Sequence, residues 1–220
     1  MSSLRHALVA AALTAGLAPA AAAQPRPQPS TPQPPPRPRA VQVMTLTSPA
    51  WTDGGRIPDR HAQPGRDVSP PLEWRGAPEG TESFVLVVRD LDEIVPATGA
   101  PRLHWLVWNL PAASSSLPAG VPEGNAPEPP RGPGAPRRPP ERLRQMSATG
   151  PAYRGPAAPA SGPSHHYVFE LYALDTWVDV PAVGQSPAAT QAAVEAALAG
   201  HVRGKGVLVV TWRRAAPPEP

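Results

Sequence analysis

The tightest constraint on how this chain folds lies in residues 83–110, two apolar runs separated by charge. Ser83-Phe84-Val85-Leu86-Val87-Val88-Arg89-Asp90 is rich in β-branched residues and uninterrupted, which predicts a strand buried on both faces. Leu103-His104-Trp105-Leu106-Val107-Trp108-Asn109-Leu110 has the same character and halts at Pro111, a residue with no N–H to give to a ladder. A charged loop is expected between the two. Asp90, Asp92 and His104 then sit at the mouth of the pair. Carboxylates and imidazoles are costly to desolvate, so at the ends of buried strands they mark sites more often than packing positions.

Most other periodic segments also read as strands. Residues 41–47 alternate and predict one half-buried strand. Residues 51–67 are rich in turn formers, and residues 67–74 are extended around Pro70 and Pro71. Residues 166–174 predict a third strong strand, with Tyr167, Phe169, Leu171 and Ala173 on one face. One helix is expected, with Ser186 as N-cap, Pro187 at the first position, an alanine-rich run to His201 and Gly204 as the stop. Its His201 would face the negative end of the helix dipole. Residues 205–214 close the domain as a strand. Four or five strands and one late helix, without βαβ alternation, predict a mainly β (α+β) domain, antiparallel and sandwich-like. Trp74, Trp105, Trp108 and Trp212 are assigned to its core, and Ser69 to a structural role.

The ends of the chain carry a different kind of information. Arg5, His6, an apolar run over residues 7–18 and Ala21-Ala22-Ala23 form the pattern of a secretory signal cut before Gln24. The run is too short for a hydrocarbon layer of about 30 Å. Cleavage fits it better than an uncleaved anchor. A periplasmic or secreted protein is expected, with no integral membrane segment after processing. Residues 24–40 hold eight prolines in seventeen positions, which makes them an extended linker rather than a core. One domain follows over residues 41–214, with a frayed tail at 215–220. Inside it, residues 122–140 hold eight prolines in nineteen positions and are expected to be a loosely attached insert. There is no cysteine, so disulfides and thiol chemistry are excluded.

The net charge of +3 suggests a polyanion partner, but its placement does not. Of twenty basic residues, four precede Val41 and five lie in 122–144, a stretch that also holds three of the seventeen acidic ones. The remainder carries 11 basic against 14 acidic residues, and a nucleic-acid binder needs a basic face.

Taken in order, five short segments form a recognisable set. They are Asp67-Val68-Ser69-Pro70-Pro71-Leu72-Glu73-Trp74, then Gly76-Ala77-Pro78-Glu79-Gly80-Thr81 leading into Asp90-x-Asp92, then His104-Trp105, then Gly155-Pro156 with His165-His166-Tyr167, then Tyr172-Ala173-Leu174-Asp175. Their order resembles the phosphatidylethanolamine-binding protein family, which includes the Raf kinase inhibitor proteins, and is most similar to its bacterial branch. The resemblance implies a central antiparallel sheet packed on a smaller one, with a shallow anion-binding pocket at one end. By position it implies that Asp90, Asp92 and His104 line the pocket, Gly155 and Pro156 begin its loop, and His165 supplies a second histidine. It implies no cofactor, and it allows a homodimer, since some bacterial members pair. Two departures stand out. Asp90-Leu91-Asp92-Glu93-Ile94 lacks both family prolines, and Gly155-Pro156-Ala157-Ala158-Pro159 lacks one.

In such a pocket imidazoles donate to phosphate oxygens, while Asp90 orients an imidazole or accepts from the ammonium of ethanolamine. Backbone N–H groups at Gly155, where no side chain blocks approach, are expected to complete the cradle. His165 and His166 are neighbours on a strand, so only one can face inward. Three function classes follow. The favoured one is a non-enzymatic binder of phosphate or a phosphorylated small molecule. The second is an inhibitor of a partner protein, such as a kinase or protease, contacting it through residues 122–140. The third is a hydrolase or metal enzyme using Asp90, His104 and His165. The chain has no His-x-x-x-His pair and no Gly-x-Ser-x-Gly elbow, so neither a catalytic residue nor a metal is expected.

Overall fold

Among the described residues the chain runs β1 (Gln42–Val43), β2 (Thr45–Thr47), β3 (Leu72–Arg75), β4 (Ser83–Val95), β5 (Ala100–Pro111), β6 (Ser116–Leu117), β7 (Arg144–Met146), β8 (His165–Leu174), α1 (Pro187–Ala197) and β9 (Val202–Trp212). The structure is a computed structural model that describes residues 40–125 and 143–216, all within the unit Pro38–Pro220. The signal-like segment, the linker up to residue 39, residues 126–142 of the insert and residues 217–220 lie outside the described residues. Six strands form one sheet in the order β1-β9-β8-β4-β5-β7, and three form a second in the order β2-β3-β6. Between the described strands every ladder is antiparallel except β1 with β9. The mainly β, two-sheet architecture with a late helix is the one expected. None of the helices described is long and apolar enough to cross a membrane.

The uninterrupted run in β4 has a simple cause: each of its faces has its own core. Phe84, Leu86 and Val88 pack with Leu46, Leu72 and Trp74 of the smaller sheet. Val85 and Val87 pack on the other side with Val178, Val180 and Val194, the last carried by α1. All five β4 residues are essentially without solvent contact. At about 25 cal/mol per Å2 of buried apolar surface, each side chain contributes roughly 1.5–3 kcal/mol. The four tryptophans assigned to the core are buried there.

Several local expectations need correction. Residues 41–47 are not one strand. Gln42 and Val43 pair with β9 in the large sheet, while Thr45 to Thr47 pair with β3 in the small one. The crossing is allowed by glycines on β9. A Cβ on Gly204 would lie 2.8 Å from Met44 Sδ, and one on Gly206 would lie 3.1 Å from Leu46 Cβ. The expected charged loop is instead a continuation of β4 to Val95, closed by a turn over residues 96–99. Asp90 pairs with Arg102 and Ile94 with Pro101, so residues 91–93 bulge out of the ladder.

The helix is capped as expected, with Ser186 Oγ accepting from Ala189 N at 3.2 Å, but it stops at Ala197. Gly200, at φ +79°, provides the left-handed exit, and Gly204 belongs to β9. His201 therefore lies beyond the helix, where its Nδ1 sits 2.8 Å from Asp175 Oδ1. The described start of the insert is anchored: Gln145 Nε2 donates to Pro122 O at 2.5 Å, and Asn125 Nδ2 to Gln145 O at 2.9 Å.

Candidate functional site

Three strands each deliver one polar side chain to the same end of the same sheet face. On β4, Asp90 continues the row Phe84, Leu86, Val88 that faces the small sheet. On β8, His165 begins the row of Tyr167, Phe169, Leu171 and Ala173. By simple alternation β5 would fail to complete the set. Leu106 and Trp108 face the α1 side, and a period of two would put His104 with them. A bulge prevents this. Val88 pairs with Trp105 and Arg89 with Leu103, which leaves His104 as the extra residue. Leu103 stays on the α1 side, Trp105 and Val107 face the small sheet, and the His104 imidazole emerges beside Asp90.

The outcome is a tight cluster. His165 Nδ1 lies 2.8 Å from Asp90 Oδ2. Asp90, Glu93 and His104 each place a ligating atom within 4.8 Å of the other two. The Tyr167 ring packs edge-on to His104 at 5.1 Å and stacks on His165 at 6.4 Å. Asp90, His104 and His165 thus come together as expected, and Glu93 and Tyr167 join them.

Burial sets the electrostatics. Asp90 is 1% exposed and His104 2%. Asp90 Oδ1 accepts from the backbone N–H of Asp92 at 2.9 Å and of Glu93 at 3.2 Å. His104 Nδ1 lies 2.7 Å from the Arg154 carbonyl, so it carries the hydrogen and donates it. Burial pushes the His104 pKa below its ordinary value, with the Arg154 carbonyl and the Asp90 charge opposing. The ring is therefore neutral at pH 7, and Nε2 presents a lone pair. That atom is buried and makes no hydrogen bond of ordinary geometry among the described residues. Burial and the Asp90 charge push the Tyr167 hydroxyl well above its ordinary pKa, so it stays protonated.

Asp92 sits apart from the buried pair. Its side chain is 43% exposed, and Oδ2 accepts from His166 N at 2.6 Å and lies 2.9 Å from His166 Nδ1. These bonds hold its carboxyl below the usual range. Strand alternation therefore sends His165 inward and His166 to the rim with Asp92. Glu93 pairs with Arg102 Nε at 2.5 Å.

The lining loop corrects one expectation. The Gly155 N–H is not offered to a ligand, because it donates to Asp67 Oδ1 at 2.7 Å. The bare side of this glycine faces protein: a Cβ there would meet His61 O at 2.0 Å. The Pro156 carbonyl accepts from Gln63 N at 3.0 Å, and Arg154 Nη1 pairs with Asp67 Oδ2 at 3.1 Å. Gly155 and Pro156 are positioning residues. They fix the Arg154 carbonyl that orients His104. Asp67 organises this loop from φ +51°, and sequence reasoning overlooked it, as it did Glu93 and Tyr167. Tyr167 was recoverable, since it shares the parity of His165. Ser69 is structural as expected, its Oγ accepting from Val121 N at 2.8 Å.

Two stacked β-sheets with a buried Asp/His cluster at one sheet end define the class: a small β domain whose chemistry is gathered at a sheet terminus. The family model described as phosphatidylethanolamine-binding protein matches residues 47–213. The chain belongs to the phosphatidylethanolamine-binding protein family. It is 35% identical over 172 residues to the UPF0098 protein of Methanothermobacter thermautotrophicus, covering 78% of this chain and 99% of that one. It is 35% identical over 137 residues to the UPF0098 protein YbhB of Escherichia coli, covering 60% and 78%. Among solved structures, Escherichia coli YbcL, described as a member of the mammalian PEBP family, superposes with a TM-score of 0.58 at 26% identity, covering 78% and 98%.

Proposed function

We propose that this protein is an exported, non-enzymatic binder of small phosphorylated ligands of the phospholipid head-group kind, held at Asp90, His104 and His165. The observation that supports this is the unpartnered lone pair of buried His104 Nε2 beside the Asp90 carboxylate. Two acceptors side by side suit the ammonium end of a zwitterionic head group. His165, 19% exposed and held by Asp90 through Nδ1, has Nε2 left for a phosphate oxygen when its ring is protonated. Asp90, Asp92 and Glu93 disfavour a bare dianion, so phosphoethanolamine is expected to bind more tightly than inorganic phosphate. Ser69, committed to Val121 N, is not a nucleophile in this reading. The signal-like start and the proline-rich linker support export.

Calorimetric titration of chelator-treated protein tests the ligand reading. Asp90→Asn and His165→Gln should each weaken phosphoethanolamine binding by about tenfold, the scale of one charge-assisted hydrogen bond. Equal affinity for wild type and both folded variants would overturn it.

A further inference from the structure

We propose that Asp90, Glu93 and His104 form a binding site for a divalent transition-metal ion. Three acceptors converge there from two strands, with ligating atoms within 4.8 Å of one another. Tetrahedral ligands about 2.1 Å from a common ion lie roughly 3.4 Å apart, so the set closes on an ion once its pairs, now at most 4.8 Å apart, contract by up to about 1.4 Å through side-chain rotation. The independent observation is His104. It is 2% exposed, and among the described residues Nε2 makes no hydrogen bond, in an interior where unpaired polar atoms are costly.

The surroundings are those a metal ligand needs. An imidazole that binds a metal through one nitrogen donates its other N–H to a carbonyl or carboxylate, which fixes the ring and the tautomer. His104 Nδ1 does this to the Arg154 carbonyl at 2.7 Å. Asp90 is oriented by two backbone N–H groups and by His165. Glu93 meets Arg102 through Oε1, and a carboxylate has a second oxygen to offer. His165 is a positioning residue in this arrangement, because its Nδ1 is engaged with Asp90.

One imidazole and two carboxylates select the series from Mn2+ to Zn2+, whereas Ca2+ and Mg2+ favour all-oxygen sites. Three protein ligands leave positions for an outside donor. The proposal shares Asp90 and His104 with the head-group reading but does not depend on it.

The test uses the folded protein stripped with EDTA and dialysed, at one fixed pH and without phosphate. Zn2+ is titrated by calorimetry, and Co2+ by visible absorption. The expected result is one equivalent bound, weakened about tenfold or more by His104→Gln and by Glu93→Gln. The Glu93 side chain is 40% exposed, so that variant keeps its fold if the packed His104 variant does not. His166→Gln and His201→Gln, which lie outside the cluster, should leave binding unchanged. No binding to stripped wild type would overturn the proposal. So would binding that survives both ligand substitutions, or that is lost through His166 or His201. The head-group titration is run in chelator-treated protein, so either reading can fail alone.

Discussion

Replacing Gly155 with alanine tests whether the loop that orients His104 is held by close backbone contact. The new Cβ would fall 2.0 Å from His61 O and 2.9 Å from Ala62 Cα. Both obstacles are backbone, so one segment must move by roughly 1 Å to restore van der Waals distance, an overpacking cost of about 1–3 kcal/mol. The same His61 oxygen accepts from the buried Tyr153 hydroxyl at 2.8 Å, and losing that bond adds about 1–2 kcal/mol. Reduced freedom of the unfolded chain returns about 0.4–1 kcal/mol. The net expectation is a loss of about 3 kcal/mol, which for a domain of this size lowers Tm by about 6–12 °C. Thermal and urea unfolding followed by circular dichroism measure it. Gly80→Ala is the control, since φ is +79° there and nothing lies within 4 Å; it should cost about 1–2 kcal/mol from backbone strain alone. Gly155→Ala should also displace the Arg154 carbonyl and so change the His104 tautomer signal by NMR. A Gly155→Ala protein destabilised no more than the control would refute the reasoning.

Two further outcomes are expected. Burial, with Arg60 adding to it and the Val68 carbonyl opposing, holds the His61 pKa below its ordinary 6.5. Between the folded and unfolded values the unfolded chain binds more protons, so stability is full above about pH 6.5 and falls on acidification, by at most about 1.4 kcal/mol per unit. Urea midpoints from pH 7.5 down to 5 check this, and a flat profile would contradict it. Arg89 ties α1 to the sheet, reaching Glu170 Oε2 at 2.7 Å and Glu195 Oε1 at 2.6 Å. Arg89→Met keeps the stem and removes the charge. It should cost about 1 kcal/mol, kept low by solvent screening at Glu195, and should speed amide exchange in α1. Unchanged protection of α1 would argue against that anchor.

The legible parts of this fold share one property: their cause is local. Burial of β4 on both faces requires apolar residues at successive positions, so residues 84–88 announce a central strand without reference to anything else. Alternation on β8 likewise separates His165 from His166 before any partner is known. Ser186-Pro187 marks the helix start because capping involves only the next few residues. The helix end was misplaced because an alanine-rich run carries no stop of its own. The left-handed conformation of Gly200, rather than the presence of a glycine, decided it.

The site was legible as three residue types in family order, and its assembly was not. His104 reaches Asp90 only because β5 has one residue more than its partner at that point, and a bulge has no residue signature of its own. The same holds for Glu93, brought inward by the bulge of residues 91–93, and for Gly155, whose N–H was free to meet a ligand until Asp67 took it. From the amino-acid order alone come the long central strands, the facing of side chains wherever alternation is unbroken, as on β8, and the chemical groups on hand. The meeting of those groups depends on register between strands far apart in the chain, which is settled by cumulative backbone pairing, and that only the tertiary structure decides.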